Sequence, residues 1–405
     1  MKYAVILGNV GSCSDRYMTG GYSEPFTVEQ LFERLSTIDN VHAVEFVGGW
    51  QLTLDNRQMV KEQLEKYKLT PVSIIPDHFG RPIWGLGAFT HPDPDVRQAA
   101  VKETMDMVEA ARFIGCDTIS IWNGQDGYDY PLQANYADAS KWLVEGLREC
   151  ALAAPDIRFS LEYKPKEPRN HSFISNVWSA ITYARECALP NVGVTIDVGH
   201  SLEAYENVAE AICAAASRGL LFHMHINDNY RLWDDDMITG SIHTIEYLEI
   251  FYWLRKMGYD GYVSVDQYPY RENSRDAVNE SIQWMTALEK AADRLDPAKM
   301  DAILAQKRRR GLHALCPRNS FRLRTAGPKE GRRHGRNHTA DLRILAQSPG
   351  HPDRSSPLFL VQRRAEGDAG RLAHPRGRQR RGPARRAPAV GQRAGGLRAL
   401  HRDPL

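Results

Sequence analysis

Short apolar segments alternate with longer amphipathic segments throughout the first 295 residues of the chain. The apolar segments are four to seven residues long, as buried strands are, and the amphipathic segments have helical spacing. The predicted strands are Tyr3–Leu7, Val41–Phe46, Val72–Ile75, Thr118–Trp122, Arg158–Glu162, Gly193–Asp197, Leu221–Asn227 and Tyr262–Asp266. The predicted helices lie near residues 27–37, 55–67, 94–114, 136–153, 173–188, 204–218, 243–257 and 276–294.

Strict alternation of strands and helices predicts an α/β protein with a parallel sheet. Eight strand–helix units over this length favour a closed (β/α)8 TIM barrel over an open doubly wound sheet. The turn after the first strand, Gly8-Asn-Val-Gly11-Ser-Cys, lacks the third glycine of a dinucleotide-binding fingerprint. We therefore expect a TIM barrel over residues 1–295, with residues 296–306 ending the barrel or forming a linker.

Charge is divided unevenly along the chain. Residues 307–405 hold 25 Lys and Arg against 6 Asp and Glu, whereas residues 1–306 hold 27 against 44. The basic part is rich in Arg, Gly, Pro and Ala and lacks helical or strand periodicity. Three interpretations stay open: an arm that binds phosphates, a disordered tail with too little apolar surface to fold, or out-of-frame translation from near Gln306. The scarcity of aromatic residues argues against nucleic-acid binding.

The cysteines and the N-terminus predict a cytoplasmic protein. The six cysteines are scattered and form no C-x-x-C pair, which is typical of reduced thiols. The apolar segment at the N-terminus is too short for a signal peptide, and no segment approaches the length of a membrane span. We expect no membrane partner.

Four consecutive predicted strands end on residue types that bind metals. Because the active site of a TIM barrel lies at the carboxyl ends of its strands, these side chains should converge there. The strand Leu221–Asn227 also places His223, His225 and Asn227 on one face, and a polar loop with three aspartates follows it. The predicted ligands are Glu162, Asp197, His200, His225, Asp234, Asp236 and Asp266.

So many carboxylates in one barrel mouth would repel each other strongly without cations. Two divalent ions together with Lys164 would balance the five carboxylates. Mixed carboxylate and imidazole ligands suit Mn²⁺, Mg²⁺ or Co²⁺ better than a structural zinc site made of thiolates. The sequence therefore predicts a two-metal site.

Residues 70–295 resemble the xylose isomerase-like TIM barrel superfamily, and most closely its xylose and rhamnose isomerases. The resemblance implies an aldose–ketose isomerase that uses two divalent cations, Mn²⁺ or else Mg²⁺ or Co²⁺, and transfers a hydride between C1 and C2. Asp at 197 and His at 225 are similar to the rhamnose isomerase pattern. Five segments carry the resemblance: Gly87–Arg97, Ile121–Gly127, Glu162-Tyr-Lys-Pro-Lys-Glu-Pro-Arg169, Asp197-Val-Gly-His200 and Phe222–Asp236.

The same resemblance implies roles for single residues. Lys164 corresponds to the catalytic lysine and Trp122 to the tryptophan beside the sugar, with Trp50 and Phe79 extending that wall. The resemblance also implies a homodimer or homotetramer. The sequence shows no clear phosphate-binding glycine loop, so an unphosphorylated sugar is expected. The implied ligands are Glu162, Asp197, His225 and Asp266 for the first metal, and Asp197, His200, Asp234 and Asp236 for the second.

One departure concerns opening of the sugar ring. These isomerases carry a histidine near the end of the second strand, whereas the segment Val44–Trp50 has none. His78 or Glu45 could replace it, although His78 could equally be a loop histidine bonded to backbone. A substrate that is already open-chain would need no such residue.

Two other functions compete with isomerisation. A one-metal sugar epimerase or dehydratase would use Glu162 and a residue near Asp266 as bases, with Arg231 binding substrate. An inward-facing Asp234 and Asp236 would favour the isomerase. An endonuclease IV-like repair enzyme would share the fold, but the acidic barrel repels DNA and the Lys164 motif has no role in that chemistry.

Overall fold

The structure, a computed structural model, describes residues 1–268 and 271–306 together with the short segments 323–324 and 343–344. All of these residues belong to the first of two units into which the chain divides, Met1–Gln347. Most of the predicted basic tail lies outside the described residues. Within it, Leu323–Arg324 and Arg343–Ile344 pair as antiparallel strands.

Eight parallel strands close into a barrel, which confirms the predicted fold class. Each strand pairs with the next barrel strand in the chain, and the last pairs with the first. Two further strands, β5 (Gly127–Tyr128) and β7 (His171–Ser172), pair with each other outside the barrel. The barrel strands are β1 (Lys2–Ile6), β2 (Ala43–Val47), β3 (Thr70–Ile75), β4 (Thr118–Ile121), β6 (Arg158–Glu162), β8 (Val192–Asp197), β9 (Leu221–Ile226) and β10 (Tyr262–Val265).

Helices connect the strands and cover the barrel. None of the helices in the described part of the chain has both the length and the apolar composition needed to cross a membrane. The helix predicted near 204–218 corresponds to α7 (Val208–Ala216), and a short helix that was not predicted, α6 (Val198–Glu203), starts directly after β8. The helices are α1 (Val28–Leu35), α2 (Arg57–Tyr67), α3 (Pro94–Ile114), α4 (Tyr136–Ala153), α5 (Val177–Glu186), α6 (Val198–Glu203), α7 (Val208–Ala216), α8 (Thr244–Lys256), α9 (Ser274–Ala292) and α10 (Pro297–Gln306).

Local sequence explains where these helices begin and end. Asp93 caps α3 by accepting a hydrogen bond from the backbone N–H of Asp95, and Pro94 occupies the first turn, where no N–H is needed. Gly115 ends the same helix in the left-handed conformation, with a φ of +81°. Such caps fix the length of α3 and hence the position of β4.

The outer faces of the strands and the inner faces of the helices form the main apolar core. Phe32, Phe46, Leu64 and Phe251 belong to it, and burial of each such side chain contributes about 1.5–3 kcal/mol. The barrel interior is different, because its middle contains the charged side chain of Glu45. Two small apolar clusters lie at its ends: Ala4, Ala43 and Val72 at the amino ends of the strands, and Ile6, Val47 and Ile75 at the carboxyl ends.

Candidate active site

Four of the predicted metal ligands meet at the carboxyl ends of neighbouring strands. Glu162 and Asp197 are the last residues of β6 and β8, His225 is the next-to-last residue of β9, and Asp266 follows β10. One ligand atom from each lies within 4.8 Å of the others. The structure thus brings the four together in what we call the first cluster.

His225 is the centre of the first cluster. Its Nδ1 atom lies 3.4 Å from Oε2 of Glu162, 3.4 Å from Oδ2 of Asp266 and 4.0 Å from Oδ2 of Asp197. This nitrogen is buried and has no hydrogen-bond partner among the described residues. A lone imidazole nitrogen facing three carboxylates is a donor set that fits a divalent cation. Burial would lower the pKa of His225, but the charges of Glu162 and Glu45 raise it well above its ordinary value.

A second cluster of Asp197, His200 and Asp234 adjoins the first. Asp197 caps α6 by accepting a 2.9 Å hydrogen bond from the backbone N–H of His200, and this tight turn directs His200 toward the same site. His200 Nε2 lies 2.9 Å from Oδ2 of Asp234. His200 Nδ1 and Asp234 Oδ1 are both buried and without hydrogen-bond partners in the described structure, so these residues also fit a cation.

The electrostatics of the second cluster show how strongly it attracts positive charge. Burial raises the pKa of Asp197 to about 6. Burial would lower the pKa of His200, but the carboxylates of Asp197 and Asp234 raise it to about 10. Burial also opposes ionisation of Asp234, yet Lys164 and His200 hold its pKa below the usual range. A bound cation would neutralise the same carboxylates.

The loop that carries Asp234 is held at both ends. Buried Asp228 accepts hydrogen bonds from the backbone N–H groups of Ile242 and His243, and lies 2.7 Å from His243 Nδ1. The backbones of Asp228 and Met237 also pair with each other. These contacts fix the loop before any ligand binds, which keeps Asp234 facing the barrel mouth.

Asp236 lines the barrel mouth but lies outside the ligand atoms of the second cluster. Its backbone is left-handed, with a φ of +46°. The side-chain amide of Asn227 donates to Asp236 Oδ1 at 3.2 Å and lies at similar distances from both carboxylate oxygens of Asp197. Burial and the charge of Asp234 raise the pKa of Asp236 well above its ordinary value. Its predicted role as a metal ligand stays a prediction.

Lys164 is buried beside the second cluster. Its Nζ atom lies 2.8 Å from Asp234 Oδ2, 3.5 Å from Glu167 Oε2 and 5.4 Å from the centre of the Trp122 ring. Burial would lower the pKa of Lys164, but the charge of Asp234 outweighs it and raises the pKa above the ordinary value. The ammonium group therefore stays charged.

A cleft of about 230 Å³ separates the charged groups from an aromatic wall. Phe79 forms the middle of this wall, with ring centres 4.5 Å from Trp122 and 5.7 Å from Trp50. Glu162, Lys164, His200, Asp234, Asp236 and Asp266 line the cleft as well, together with Ile6, Ser14, Val47, Ile75 and Tyr268. Ile6, Val47 and Ile75 were not anticipated from sequence, because apolar strand ends look the same in a core and in a cleft. Ser14 and Tyr268 were not anticipated because they lie in loops, where the direction of a side chain depends on tertiary packing.

Apart from Asp197 and His225, which belong to the clusters, three further predicted residues are not among those that line the cleft. His78 is buried, with Nδ1 2.9 Å from Asn123 Oδ1 and Nε2 3.2 Å from the carbonyl oxygen of Ala100. Burial lowers its pKa. Arg231 lies in the loop after β9 with a φ of +69°. Glu45 is enclosed in the barrel, where its two carboxylate oxygens contact His223 and His225.

A family model described as the xylose isomerase-like TIM barrel matches residues 32–288. The chain belongs to this family, and the resemblance seen in its motifs is confirmed.

Named relatives include sugar isomerases and epimerases. A xylose isomerase from Thermus thermophilus is 25% identical over 294 residues, which cover 67% of this chain and 73% of that protein. A D-tagatose 3-epimerase-like protein has a TM-score of 0.56 at 21% identity, covering 72% of this chain and 99% of that one. A 3-keto-D-glucoside 4-epimerase from E. coli has a TM-score of 0.56 at 20% identity, covering 71% and 99%. At such identities the solved structures show a shared fold only.

Proposed function

We propose that this protein is a divalent-metal-dependent aldose–ketose isomerase that binds its sugar between the aromatic wall and the two clusters. The main support for this proposal is the inward position of Asp234. One of its ligand atoms lies within 4.8 Å of ligand atoms of Asp197 and His200. A one-metal enzyme has no need of this second cluster. Its presence beside the first cluster supports a two-metal site.

The residues suit a site for two Mn²⁺ ions, with Mg²⁺ or Co²⁺ as alternatives, because all of the ligand atoms are oxygen or imidazole nitrogen. Glu162, Asp197, His225 and Asp266 would hold one ion, and Asp197, His200 and Asp234 the other, with Asp236 completing it. When bound, these ions supply Lewis acidity toward the hydroxyl and carbonyl oxygens of the sugar.

Lys164 would stabilise the charge that develops on the sugar. It lines the cleft, and Asp234 keeps its ammonium group charged and oriented. A hydrogen bond from Nζ to the O1 atom would strengthen as negative charge forms there, which lowers the barrier of the reaction. Asp234 thereby acts on both the lysine and the proposed ion.

The aromatic wall would exclude water from the reacting carbons. Phe79 and Trp122 are in ring contact, and Ile6, Val47 and Ile75 form an apolar patch against which both pack. A hydride moving between C1 and C2 is protected from solvent protons on such a surface.

The cleft also suggests the class of sugar. Among the lining residues that the structure describes, Lys164 is the single lysine or arginine, and it is already bound by Asp234, which favours an unphosphorylated substrate. Neither His78 nor Glu45 lines the cleft, so a sugar present largely in open-chain form suits the site best.

A one-metal epimerase or dehydratase is the second candidate. Glu162 and Asp266 both lie 3.4 Å from His225 Nδ1 and could act as two bases on one substrate carbon. Burial raises the pKa of Asp266, which makes its carboxylate a better proton acceptor. Proteins with epimerase names are also found on this fold.

Product analysis after metal replacement separates the two candidates. The protein is treated with EDTA, supplied again with Mn²⁺ and incubated with unphosphorylated aldoses and ketoses. Conversion of an aldose into its ketose, detected by NMR, supports the isomerase. A ketose product inverted at a single carbon supports the epimerase, and turnover that survives EDTA contradicts both.

A further inference from the structure

We infer that Glu45, anchored by His223, is a positioning residue that fixes the tautomer and orientation of His225 for metal binding. The inference rests on the proposed first metal site and is independent of which sugar reaction follows. It also gives a role to a buried charge that the proposed mechanism does not use.

Glu45 spans the interior of the barrel. It lies on β2, whereas His223 and His225 lie on β9, which is separated from β2 by β10 and β1. The side chains of Glu45 and His225 are fully buried, and that of His223 is 5% exposed. Burying an ionised carboxylate is unfavourable unless polar groups form hydrogen bonds with it. Glu45 can therefore stay ionised in the barrel only because His223 and His225 contact it.

Each carboxylate oxygen of Glu45 contacts a different imidazole. Oε1 lies 2.5 Å from Nε2 of His223, and Oε2 lies 3.2 Å from Nε2 of His225. An ionised carboxylate only accepts hydrogen bonds, so both Nε2 atoms must carry hydrogen and donate it. Neutral His225 then has its lone pair on Nδ1.

That lone pair faces the first cluster. Nδ1 of His225 is surrounded by oxygens of Glu162, Asp197 and Asp266 and has no hydrogen-bond partner among the described residues. The opposite tautomer would put hydrogen on Nδ1 and leave Nε2 facing Glu45 without a hydrogen to donate. Glu45 therefore selects the tautomer that can bind a cation at Nδ1.

His223 holds Glu45 in place. Its contact with Oε1 is the shorter of the two, and the hydroxyl of Ser264 lies 3.1 Å from the same Nε2 atom. The rings of His223 and His225 are 5.1 Å apart and nearly perpendicular, which restricts rotation of both. With one oxygen fixed by His223, the other can point only toward His225.

Glu45, His223 and His225 could in principle hold a metal themselves. The carboxylate–imidazole separations of 2.5 and 3.2 Å are hydrogen-bond lengths, and hydrogens between these atoms leave no place for a cation. The positioning role accounts for these distances and for the unpartnered Nδ1 atom together.

Isothermal titration of metal-free protein with Mn²⁺ tests the inference. Glu45→Gln keeps the size of the side chain but presents an amide N–H₂ to one imidazole, so one binding step should weaken by roughly 10- to 100-fold. Glu289→Gln is the matched control. Its carboxylate binds the Tyr3 hydroxyl near the amino end of β1, and Mn²⁺ affinity should be unchanged. Thermal unfolding of both variants separates lost affinity from lost stability.

Equal Mn²⁺ affinity in wild type and Glu45→Gln would overturn the inference, even if the variant unfolded at a lower temperature. If Glu45→Gln does not fold, NMR of the wild-type protein tests the inference instead. With ¹⁵N-histidine and Mg²⁺, NMR should find hydrogen on Nε2 of His225, and hydrogen on Nδ1 would overturn the inference. Mn²⁺ binding without sugar turnover would contradict the proposed function alone, whereas no Mn²⁺ binding would contradict both.

Discussion

Lys164 Nζ lies 2.8 Å from Asp234 Oδ2, and His200 Nε2 lies 2.9 Å from the same oxygen. One carboxylate oxygen thus joins the loop after β6 to the first turn of α6 through the loop after β9. Because the lysine and the histidine converge on Asp234, a change at Asp234 should affect both the ammonium group of Lys164 and the second metal cluster.

Replacing Lys164 with methionine should abolish most turnover and leave metal binding in place. Loss of a buried donor to the developing charge costs about 10²–10³ in kcat, or about 2.7–4 kcal/mol. Lys141→Met is the control, because Lys141 is exposed on α4 and forms only a 3.6 Å surface ion pair with Glu145. Steady-state kinetics of both variants measure this loss. A Lys164→Met enzyme with a kcat close to that of the wild type would exclude Lys164 from catalysis.

Asp234→Asn should reduce the number of bound Mn²⁺ ions from two to one. The substitution removes the carboxylate that His200 and Lys164 share. Asp235→Asn is matched in position and chemistry, but Asp235 accepts a backbone hydrogen bond from Tyr230 and belongs to neither cluster. Elemental analysis of dialysed protein should find two ions per chain in Asp235→Asn. Two ions in Asp234→Asn would contradict the two-metal assignment.

Glu203→Gln should stabilise the protein at pH 8 and have little effect at pH 5. Glu203 ends α6, where its carboxylate lies 3.3 Å from Lys166 Nζ, and burial raises its pKa to about 7. Glu203 therefore keeps its proton up to about pH 7 in the folded protein, whereas the unfolded chain releases it near pH 4.5. The stability of the wild-type protein falls as the pH rises from about 4.5 to about 7. The expected gain at pH 8 is on the order of 2 kcal/mol.

Urea unfolding in EDTA measures this gain. Glu145→Gln serves as the control, because it removes a carboxylate that is exposed on α4. An equal effect of Glu203→Gln at both pH values would show that Glu203 is ionised throughout.

Trp122→Ala should lower kcat/KM by about tenfold, or about 1.4 kcal/mol, because it removes both the ring contact with Phe79 and the surface beside Lys164. Trp122→Phe should retain most of the activity. The control is Trp178→Ala, since Trp178 is half exposed on α5. Wild-type kinetics in Trp122→Ala would show that the aromatic wall does not contribute to turnover.

The barrel could be predicted from sequence because each unit repeats the same local pattern. Every barrel strand overlaps a predicted one. The short helix α6 was not predicted, because Asp197-Val-Gly-His200 was interpreted only as a metal motif, although Asp197 is also a helix cap. The pair formed by β5 and β7 could not be predicted, because two-residue strands have no periodicity of their own.

The residues that the structure brings together were accessible to sequence reasoning because they end neighbouring strands or follow them closely. Glu162, Asp197 and His225 are examples. His78 and Arg231 were harder, since the direction of a loop side chain depends on tertiary packing. Glu45 did leave a signal, as a charged residue inside the apolar strand Ala43–Val47. That signal indicates an interior partner and does not reveal which one.

Aldose–ketose conversion in D₂O, followed by NMR, distinguishes hydride transfer from proton exchange with solvent. A hydride that passes between C1 and C2 carries the original hydrogen with it, so we expect a product with little deuterium at either carbon. Extensive deuterium incorporation would contradict hydride transfer and would support proton exchange with solvent by carboxylates such as Glu162 and Asp266.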